Sequence, residues 1–278
     1  MIMSVASGKG GTGKTTVSCG IALSVGYCQF FDFDVEAPNA LFLLKPEIRH
    51  IQKVTIKHPV FLTGTGASFK DCAEFCHYNA LAVVGSEVIF FPELCHGCGG
   101  CLIVGPEGAV REKDVAIGEI KKGAANPGID FFMGDLKPGN MRTTNIQNEL
   151  EHYIDKDRLV IIDCPPGTSC SMVNAVRKSH YCILVTEPTP FGLNDLVLSI
   201  EVVRTIGIPF GVIINRDGIG NSDVENYCRQ SKIDVLAKIP NDKGIAKLYS
   251  RGEPITDFDP GFKEIFSNII LKIKIKNQ

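Results

Sequence analysis

A glycine-rich segment near the amino terminus has the composition and spacing of a phosphate-binding loop. It follows an apolar run, precedes a helical pattern and matches the G-x4-G-K-T motif. Glycines in such a loop allow backbone N–H groups to turn toward phosphate oxygens, and the following helix presents the positive end of its dipole. Lys14 is predicted to neutralise the outer phosphates and the Thr15 hydroxyl to ligate Mg²⁺, and an ordinary glycine-rich turn would need neither. The predicted nucleotide-binding residues of the loop are Gly8, Gly10, Gly11, Thr12, Gly13, Lys14, Thr15 and Thr16.

Three aspartates lie where predicted strands end. Asp163 closes the apolar run Leu159–Asp163, which is the Walker B pattern, and its carboxylate is predicted to hold Mg²⁺ through water. Asp32 and Asp34 lie at the end of the predicted strand Gln29–Phe33. Ligands of open parallel sheets bind beyond the carboxyl ends of the strands, so we expect the three carboxylates near the glycine-rich loop. For Asp32 and Asp34, the capping of a strand end is the plainer alternative.

Five of the eleven cysteines fall within residues 52–112, and three of them have a metal-ligand spacing. Cys95, Cys98 and Cys101 form C-x2-C-x2-C, and Gly105-Pro106 follows. Bacterial ferredoxin motifs have the form C-x2-C-x2-C-x3-C-P, and in two-cluster ferredoxins the fourth cysteine ligates the other cluster. The segment is similar to that motif but has glycine at the fourth position.

A second, partial motif decides how many clusters the segment can hold. Counted back at the same spacing, its third and fourth positions are Cys72 and Cys76, and its first two are Gly66 and Phe69. In crossed ligation, the fourth residue of each motif binds the cluster of the other motif. One site would then consist of Gly66, Phe69, Cys72 and Gly105 and has a single thiolate. The other site has all four thiolates. We therefore predict one 4Fe–4S cluster, with Cys72 as a buried thiol and Phe69 in the vacated volume. The predicted ligands are Cys76, Cys95, Cys98 and Cys101.

Two alternatives for this segment stay open. The same four thiolates could hold a structural Zn²⁺, although zinc ribbons usually have two separated C-x2-C pairs. Three cysteines at successive x2 spacings suit a cubic cluster better. The segment could also have lost both clusters and persist as a packing unit.

The rest of the chain alternates short apolar runs with helical patterns, which predicts an α/β fold with a mostly parallel, doubly wound sheet. Residues 52–112 interrupt this alternation with short helical turns and a hairpin pattern over Leu81–Phe91. We therefore expect a P-loop domain formed by residues 1–51 and 113–278, and a small inserted α+β module formed by residues 52–112. The predicted strands are Ile2–Ala6, Gln29–Phe33, Ile129–Met133, Leu159–Asp163, Tyr181–Thr186 and Gly211–Asn215.

Composition narrows the expected surroundings and partners. The chain of 278 residues is 44% apolar and 22% charged with a formal net charge of −2, which gives no reason to expect nucleic acid as a partner. No apolar run approaches the roughly 18 residues that span a bilayer, and the first residues lack the pattern of a signal peptide. Apolar residues at helical spacing from Phe262 to Ile273 predict a last helix that packs on the sheet instead of binding a membrane. We expect a cytoplasmic protein, in which eleven cysteines favour metal or redox chemistry over disulfides.

Together these motifs resemble those of the MinD/ParA superfamily of P-loop ATPases, in the form that contains an inserted ferredoxin domain. The early Lys9 makes the glycine-rich loop similar to the deviant Walker A motif, and Asp32–Asn39 is similar to the family's switch I. Further segments that match are Cys164–Thr168 (switch II), Glu187–Gly192, Asn215 and, in the insert, Phe91–Cys98.

The resemblance implies an ATPase that binds ATP and Mg²⁺ and forms a nucleotide-sandwich homodimer. In the family the early lysine, here Lys9, reaches the partner's nucleotide, where it would stabilise charge as an arginine finger does. Asp34 occupies the position that orients or deprotonates the attacking water, and Asp32 the position that supports Mg²⁺ through water. The implied catalytic residues are Lys9, Lys14 and Asp34. The other implied contacts are Gly167 to the γ-phosphate, and Asn215 and Pro240 to adenine.

Three functions are compatible with this organisation. The first is ATP-gated electron transfer through the cluster to an unidentified redox partner. The second is the assembly or delivery of a metal centre under nucleotide control. The third is a positioning or regulatory switch whose insert only docks partners. A cluster that stays bound and cycles between redox states favours the first, and a labile cluster that passes to an apoprotein favours the second.

Overall fold

The computed structural model describes residues 1–63, 67–85, 87–126 and 128–276. The chain separates into two compact units, and each is described by itself. The first contains Met1–Ile51, Ile120–Asp135 and Thr143–Gln278, and the second contains Gln52–Glu119 and Leu136–Arg142. The division into an ATPase domain and an inserted domain at residues 52–112 stays a prediction.

Parallel strands form the central sheet. In chain order the strands are β1 (Ile2–Ala6), β2 (Cys28–Asp32), β3 (Glu47–Phe61), β4 (Leu81–Val84), β5 (Glu87–Phe90), β6 (Val110–Ala125), β7 (Ile129–Leu136), β8 (Val160–Asp163), β9 (Tyr181–Thr186), β10 (Phe210–Asp217) and β11 (Val235–Pro240). Among the described residues, nine of them form one sheet in the order β11-β10-β9-β1-β8-β2-β7-β6-β3. The six neighbouring pairs from β11 to β7 are all parallel.

The predicted α/β fold with a mostly parallel sheet is confirmed. β1 and β9 have the predicted bounds, and β2, β7, β8 and β10 overlap the predicted runs. The sequence interpretation missed β11 and also β3 and β6, which are strands of 15 and 16 residues. The two long strands are rich in charged residues, and for this reason they lack the apolar run that marks a strand buried on both faces.

Helices connect most of the strands. They are α1 (Lys14–Val25), α2 (Ala40–Leu44), α3 (Lys70–Phe75), α4 (Gly100–Val104), α5 (Thr143–Glu151), α6 (Cys170–Val176), α7 (Pro190–Ile206), α8 (Asp223–Gln230), α9 (Lys243–Ser250) and α10 (Gly261–Lys276), with a 3₁₀ turn at Ile255–Asp257. α1 and α10 pack so closely that a Cβ at Gly20 would lie 2.6 Å from Cε2 of Phe266. Phe262, Phe266 and Ile273 are buried, which confirms that the last helix packs in the core. Within the described residues, no helix has the length and hydropathy needed to cross a membrane.

The second unit contains two short helices, α3 and α4, and the antiparallel hairpin β4–β5. The hairpin pairs Leu81 with Phe90 and Val84 with Glu87, which confirms the predicted hairpin, although Ser86 lies outside the described residues. A small apolar cluster contains Phe69 and Cys72, which are 2% and 0% exposed. The predicted burial of Cys72 is therefore confirmed. The likeness of this unit to a ferredoxin stays a prediction.

Candidate functional site

The glycine-rich loop joins the carboxyl end of β1 to the first turn of α1. Gly11 and Gly13 have φ values of 81° and 92°, a left-handed backbone that favours glycine. A Cβ at Gly13 would also lie 2.1 Å from Nδ2 of Asn215. Gly8 is required for a different reason, because a Cβ there would lie 2.2 Å from the carbonyl oxygen of Asp195 on α7. The space around Gly10 is open.

Parallel register brings the loop to the Walker B aspartate. Asp163 is fully buried at the end of β8, and its Oδ1 lies 2.9 Å from Nζ of Lys14. The hydroxyl of Thr15 donates to the other carboxylate oxygen at 2.7 Å. Burial by itself lowers the pKa of Lys14, but Asp163 and Asp34 hold it above its usual value, so Lys14 is a cation here. The predicted phosphate and magnesium ligands are thus already in mutual contact.

Asp32 and Asp34 lie beside this pair. β2 and β8 place Asp32 directly opposite Asp163, and the Asp32 carboxylate accepts N–H bonds from Asp34, Asn39 and Ala40, each at 3.1 Å. Burial, reinforced by Asp163, raises the pKa of Asp32 to about 8. Asp34 is less enclosed and lies 3.8 Å from Nζ of Lys14; burial raises its pKa to about 6. Asp32 therefore organises the segment after β2, whereas Asp34 faces the loop.

A cleft of about 420 Å³ opens beside these residues. Tyr249, Ile245 and Asp242 contribute a wall from α9 and its amino-terminal cap. Of the predicted site residues, the cleft is lined by Lys9, Gly10, Gly11, Gly13, Lys14, Thr15, Thr16, Asp34, Asn215 and Pro240. Five predicted residues do not line it: Gly8, Thr12, Asp32, Asp163 and Gly167.

Two predicted nucleotide contacts have other partners in this conformation. The N–H of Gly167 donates to the carbonyl oxygen of Ser7 at 2.9 Å, so it does not point into the cleft. Nδ2 of Asn215 donates to the carbonyl oxygen of Thr12 at 2.7 Å and ties the loop to β10. Contact between Gly167 and a γ-phosphate would require a movement of the segment that follows β8.

Lys9 does not extend away from the chain. Its Nζ lies 3.3 Å from Oε2 of Glu187, the residue that follows β9. Nη1 of Arg216 lies 2.7 Å from the other oxygen of the same carboxylate. Glu187 is buried, while Lys9 and Arg216 remain partly exposed.

The four predicted cluster ligands of the second unit lie in one neighbourhood. Burial raises the pKa of Cys101 to about 12, and the neighbouring thiols add to that shift, first Cys72 of the apolar cluster and then the other predicted ligands Cys76, Cys95 and Cys98. Burial also raises the pKa of Cys95, and Cys98 and Cys76 act in the same direction. Thiols that disfavour one another's ionisation are a donor set suited to a cation that replaces their protons.

Backbone groups are aimed at two of these sulfurs. The N–H of Ala80 donates to Sγ of Cys76, and the N–H of Gly97 to Sγ of Cys95, each at 3.4 Å. The buried Arg142 holds the same loop through its carbonyl oxygens, with Nε 2.6 Å from the oxygen of Cys95. The Gly97 N–H and Arg142 oppose the rise in the pKa of Cys95 that burial causes, and the thiol donor set fits an iron–sulfur cluster or another thiophilic metal.

The second, incomplete ligand set is closed by packing. A Cβ at Gly105 would lie 2.5 Å from the carbonyl oxygen of Cys101 and 2.6 Å from Cγ2 of Val110. Cys72 and Phe69 are buried in the apolar cluster, and Gly66 lies outside the described residues. In the described part of the chain, no three Cys, His, Asp or Glu side chains adopt the arrangement of a metal site.

Comparison with known proteins places the chain in a family. The family model for the CobQ/CobB/MinD/ParA nucleotide binding domain matches residues 3–255. The chain belongs to this family. An uncharacterised protein of Methanocaldococcus jannaschii is 33% identical over 93% of each chain, and the iron-sulfur cluster carrier protein of Pyrococcus abyssi is 23% identical over 98% of this chain and 86% of its own. Among solved structures, the cell division ATPase MinD of Pyrococcus furiosus superposes with a TM-score of 0.60 at 19% identity, with 98% of each chain covered.

Membership of the CobQ/CobB/MinD/ParA family accounts for the geometry of the first unit. The chain is a P-loop ATPase, and its glycine-rich loop and the predicted catalytic carboxylates lie where β1, β2 and β8 end together. The strand ends of this fold supply the loop and the carboxylates from separate parts of the sequence. Sequence reasoning could assign the fold and the activity, but the roles of individual residues stay predictions.

Residues of this ATPase site that sequence reasoning missed lie on later elements. Glu187 and Arg216 form the ion-pair network with Lys9, and Tyr249 lines the cleft. Glu187 directly follows an apolar strand, the same signal that identified Asp163, so its position could have been found. Tyr249 lies in a short helix with no motif, and nothing in the sequence marks it.

Proposed function

We propose that this protein is an ATP-dependent switch that forms a nucleotide-sandwich homodimer and contains one 4Fe–4S cluster, and that its nucleotide state controls electron transfer. The observation that supports the cluster most directly is the grouping of Cys76, Cys95 and Cys98 around Cys101, with backbone donors at two of the sulfurs. The ATPase half rests on the family and on the loop geometry.

Nucleotide binding would exchange the partners of Lys14. In the structure, Lys14 and Thr15 both contact Asp163. A bound phosphate would compete for the Lys14 ammonium, and Mg²⁺ would be held by the Thr15 hydroxyl and, through water, by Asp163. Asp34, next to Lys14 and facing the cleft, would orient the attacking water. ATP binding is therefore expected to rearrange a buried set of charges that is already assembled.

The homodimer explains the second loop lysine. Lys9 lines the cleft but is directed toward Glu187, away from Asp163. A cation supplied by the partner subunit to the transferred phosphoryl group would make hydrolysis depend on dimerisation. Gly167 would report the γ-phosphate after its bond to Ser7 breaks, and its φ of 88° gives the segment a glycine pivot.

The second unit would ligate the cluster through its four grouped cysteines. A bound 4Fe–4S cluster accepts and donates single electrons at a potential set by hydrogen bonds to its sulfurs and by exposure. Here the N–H groups of Ala80 and Gly97 would supply such bonds, and Arg142 would hold the loop from Pro92 to Cys95. Since the other ligand set is closed by packing, one cluster per chain is expected, and the partner in electron transfer is a separate redox protein.

A delivery function is the second candidate, because two Pyrococcus relatives are named iron-sulfur cluster carrier proteins. Their identities to this chain are 23% and 21%. In a carrier, the cluster would be labile and would leave with the target apoprotein. Zn²⁺ on the same thiolates would exclude both functions and leave a switch whose second unit docks partners.

The decisive experiment is anaerobic purification with iron and sulfide analysis and EPR of the reduced protein. About four irons and four sulfides per chain are expected, with the spectrum of a reduced 4Fe–4S cluster. Cys98→Ser should lose most of the iron. Cys170→Ser is the matched control, because Cys170 is an equally exposed thiol outside the ligand set and should leave the iron content unchanged.

Three results separate the alternatives. Retention of the cluster through repeated reduction and ATP-dependent reoxidation by an acceptor supports electron transfer. Passage of the cluster to an apo-ferredoxin with loss from this protein supports delivery. Stoichiometric zinc, or no metal under anaerobic conditions, would overturn the cluster assignment and leave the ATPase intact.

A further inference from the structure

Glu187 is a buried carboxylate shared by two cations from different elements. It is 5% exposed, its two oxygens lie 3.3 Å from Lys9 and 2.7 Å from Arg216, and the side chains of those cations are 34% and 50% exposed. Arg216 has a φ of 54°, an uncommon conformation for a residue other than glycine, asparagine or aspartate. One cation would be enough to neutralise the buried carboxylate of Glu187, and here two are paired with it.

The backbone of Glu187 is enclosed. Its carbonyl oxygen accepts the N–H of Thr189 at 2.8 Å, and a Cβ at Gly192 would lie 2.2 Å from the same oxygen. A Cβ at Gly220 would lie 1.5 Å from the carbonyl oxygen of the next residue, Pro188. The side chain of Glu187 is buried, whereas those of Lys9 and Arg216 are partly exposed, so the two cations have more room to move than the carboxylate.

We propose that Glu187 is a positioning residue that holds Lys9 within its own subunit, and that Arg216 permits its release by neutralising Glu187 when Lys9 departs. This inference rests on the proposed homodimer, in which Lys9 must reach the partner's nucleotide. An unpaired buried charge is strongly unfavourable, so a carboxylate with one cation would retain it tightly. A second cation on the same carboxylate lowers the cost of losing the first.

The network predicts opposite effects from two neutralising substitutions. Glu187→Gln removes the anion and frees Lys9, whereas Arg216→Gln leaves Lys9 as the single cation of a buried carboxylate and binds it more tightly. A general structural defect would shift both variants in the same direction. Glu201→Gln on the same helix α7 is the matched control, since Glu201 is exposed.

The first measurement needs neither nucleotide nor dimer. The nucleotide-free full-length protein is exposed briefly to an acylating reagent, and Lys9 labelling is measured by mass spectrometry against the exposed Lys156. A lysine held against a carboxylate reacts slowly, so Glu187→Gln should label about two- to fivefold faster than the wild type and Arg216→Gln about twofold slower. Equal Lys9 labelling in the wild type and both variants would overturn the inference.

The second measurement tests the consequence for assembly. With ATP in an Asp34→Ala background, which should trap the dimer, sedimentation equilibrium should give tighter dimers for Glu187→Gln and weaker dimers for Arg216→Gln. If the labelling rates shift as expected but no variant forms a dimer, the pairing of Lys9 with Glu187 is supported and the proposed homodimer is contradicted. Dimerisation that weakens in both variants would overturn the release role of Arg216. If Glu187→Gln does not fold, the exposed Arg216→Gln still tests the inference by its own labelling rate.

Discussion

The backbone positions the side chains of the predicted nucleotide site and those of the cysteine loop in different ways. In the first, Lys14 and Thr15 both contact Asp163, and the register of neighbouring parallel strands holds these residues together. In the second, the sulfurs share a neighbourhood on a loop and in or beside two short helices, outside the strand ends of the central sheet. Cys98 is exposed, and Cys95 and Cys101 are partly so.

This difference has a physical cause. Strand ends within a hydrogen-bonded sheet are fixed relative to one another by the backbone, so the side chains they place are preorganised. The cysteine loop depends on a few carbonyl contacts of Arg142 and on turns at Gly97 and Gly99, with φ values of 65° and 74°. Metal binding in such a loop is coupled to its ordering. The two regions should therefore respond differently to substitution.

Removal of Lys14 should have the largest combined effect, because it changes both hydrolysis and stability. Lys14→Ala deletes the cation that faces the outer phosphates and should lower the rate of ATP hydrolysis by about 10²- to 10³-fold. It also leaves Asp163 buried without its cation, which should lower the free energy of unfolding by about 3–5 kcal/mol. Steady-state hydrolysis and chemical denaturation measure the two effects.

The double variant Lys14→Ala with Asp163→Asn separates them. Because it removes both charges, it should recover most of the lost stability while hydrolysis stays absent. If the double variant were as unstable as the single one, the preorganised charge pair would not be what stabilises this edge of the sheet.

Lys9→Ala should affect hydrolysis alone. Arg216 still neutralises Glu187, so the free energy of unfolding should change by less than about 1 kcal/mol. Hydrolysis should fall by about 10³-fold, since a cation in trans contributes at least that much in related phosphoryl transfers. ATP affinity, measured by calorimetry, should be almost unchanged. A large loss of affinity with a normal turnover rate would show that Lys9 binds nucleotide within its own subunit.

The sequence predicted that Asp163 lies near the glycine-rich loop, but it did not predict the ion pairs of Glu187. Motif spacing was sufficient for Lys14 and Asp163 because the loop and the strand end are local patterns with one common geometry. The ion pairs of Glu187 join residues 9, 187 and 216, and only the order of the strands shows that these positions meet. Contacts between residues far apart in the chain produce no local sequence pattern from which they could be predicted.

The long strands β3 and β6 were not predicted for a different reason. In β3 every odd-numbered residue from Glu47 to Lys57 is exposed, while Val54, Ile56 and His58 are buried. This two-residue period was present in the sequence. Apolar runs identify strands that are covered on both faces, so they do not identify a strand with this alternating pattern. The cysteine spacing, in contrast, predicted which thiols share a neighbourhood but could not predict the clamp by Arg142, 41 or more residues further along.

Gly105→Cys tests whether the incomplete ligand set can be rebuilt. The new Cβ would lie 2.5 Å from the carbonyl oxygen of Cys101, so the substitution should lower the free energy of unfolding by about 1–3 kcal/mol. Iron should not rise above about four per chain, because the set would still have only two thiolates, Cys72 and the new cysteine, and Phe69 remains in the apolar cluster. Glu107→Cys is the control, since it adds an exposed thiol nearby without a clash. A second cluster in Gly105→Cys would show that packing does not close this site.

Arg142→Lys should have the smallest effect and should be confined to the second unit. Lysine keeps the charge but cannot reach the carbonyl oxygens of Pro92, Glu93 and Cys95 together, as the guanidinium does. Each lost hydrogen bond is worth about 1 kcal/mol, so the loop should open more often, and release of iron to a chelator should accelerate about five- to tenfold. ATP hydrolysis should remain at the wild-type rate. Equal iron release in both proteins would mean that the cluster, once bound, holds the loop without Arg142, and a parallel loss of hydrolysis would mean that the two regions are coupled through it.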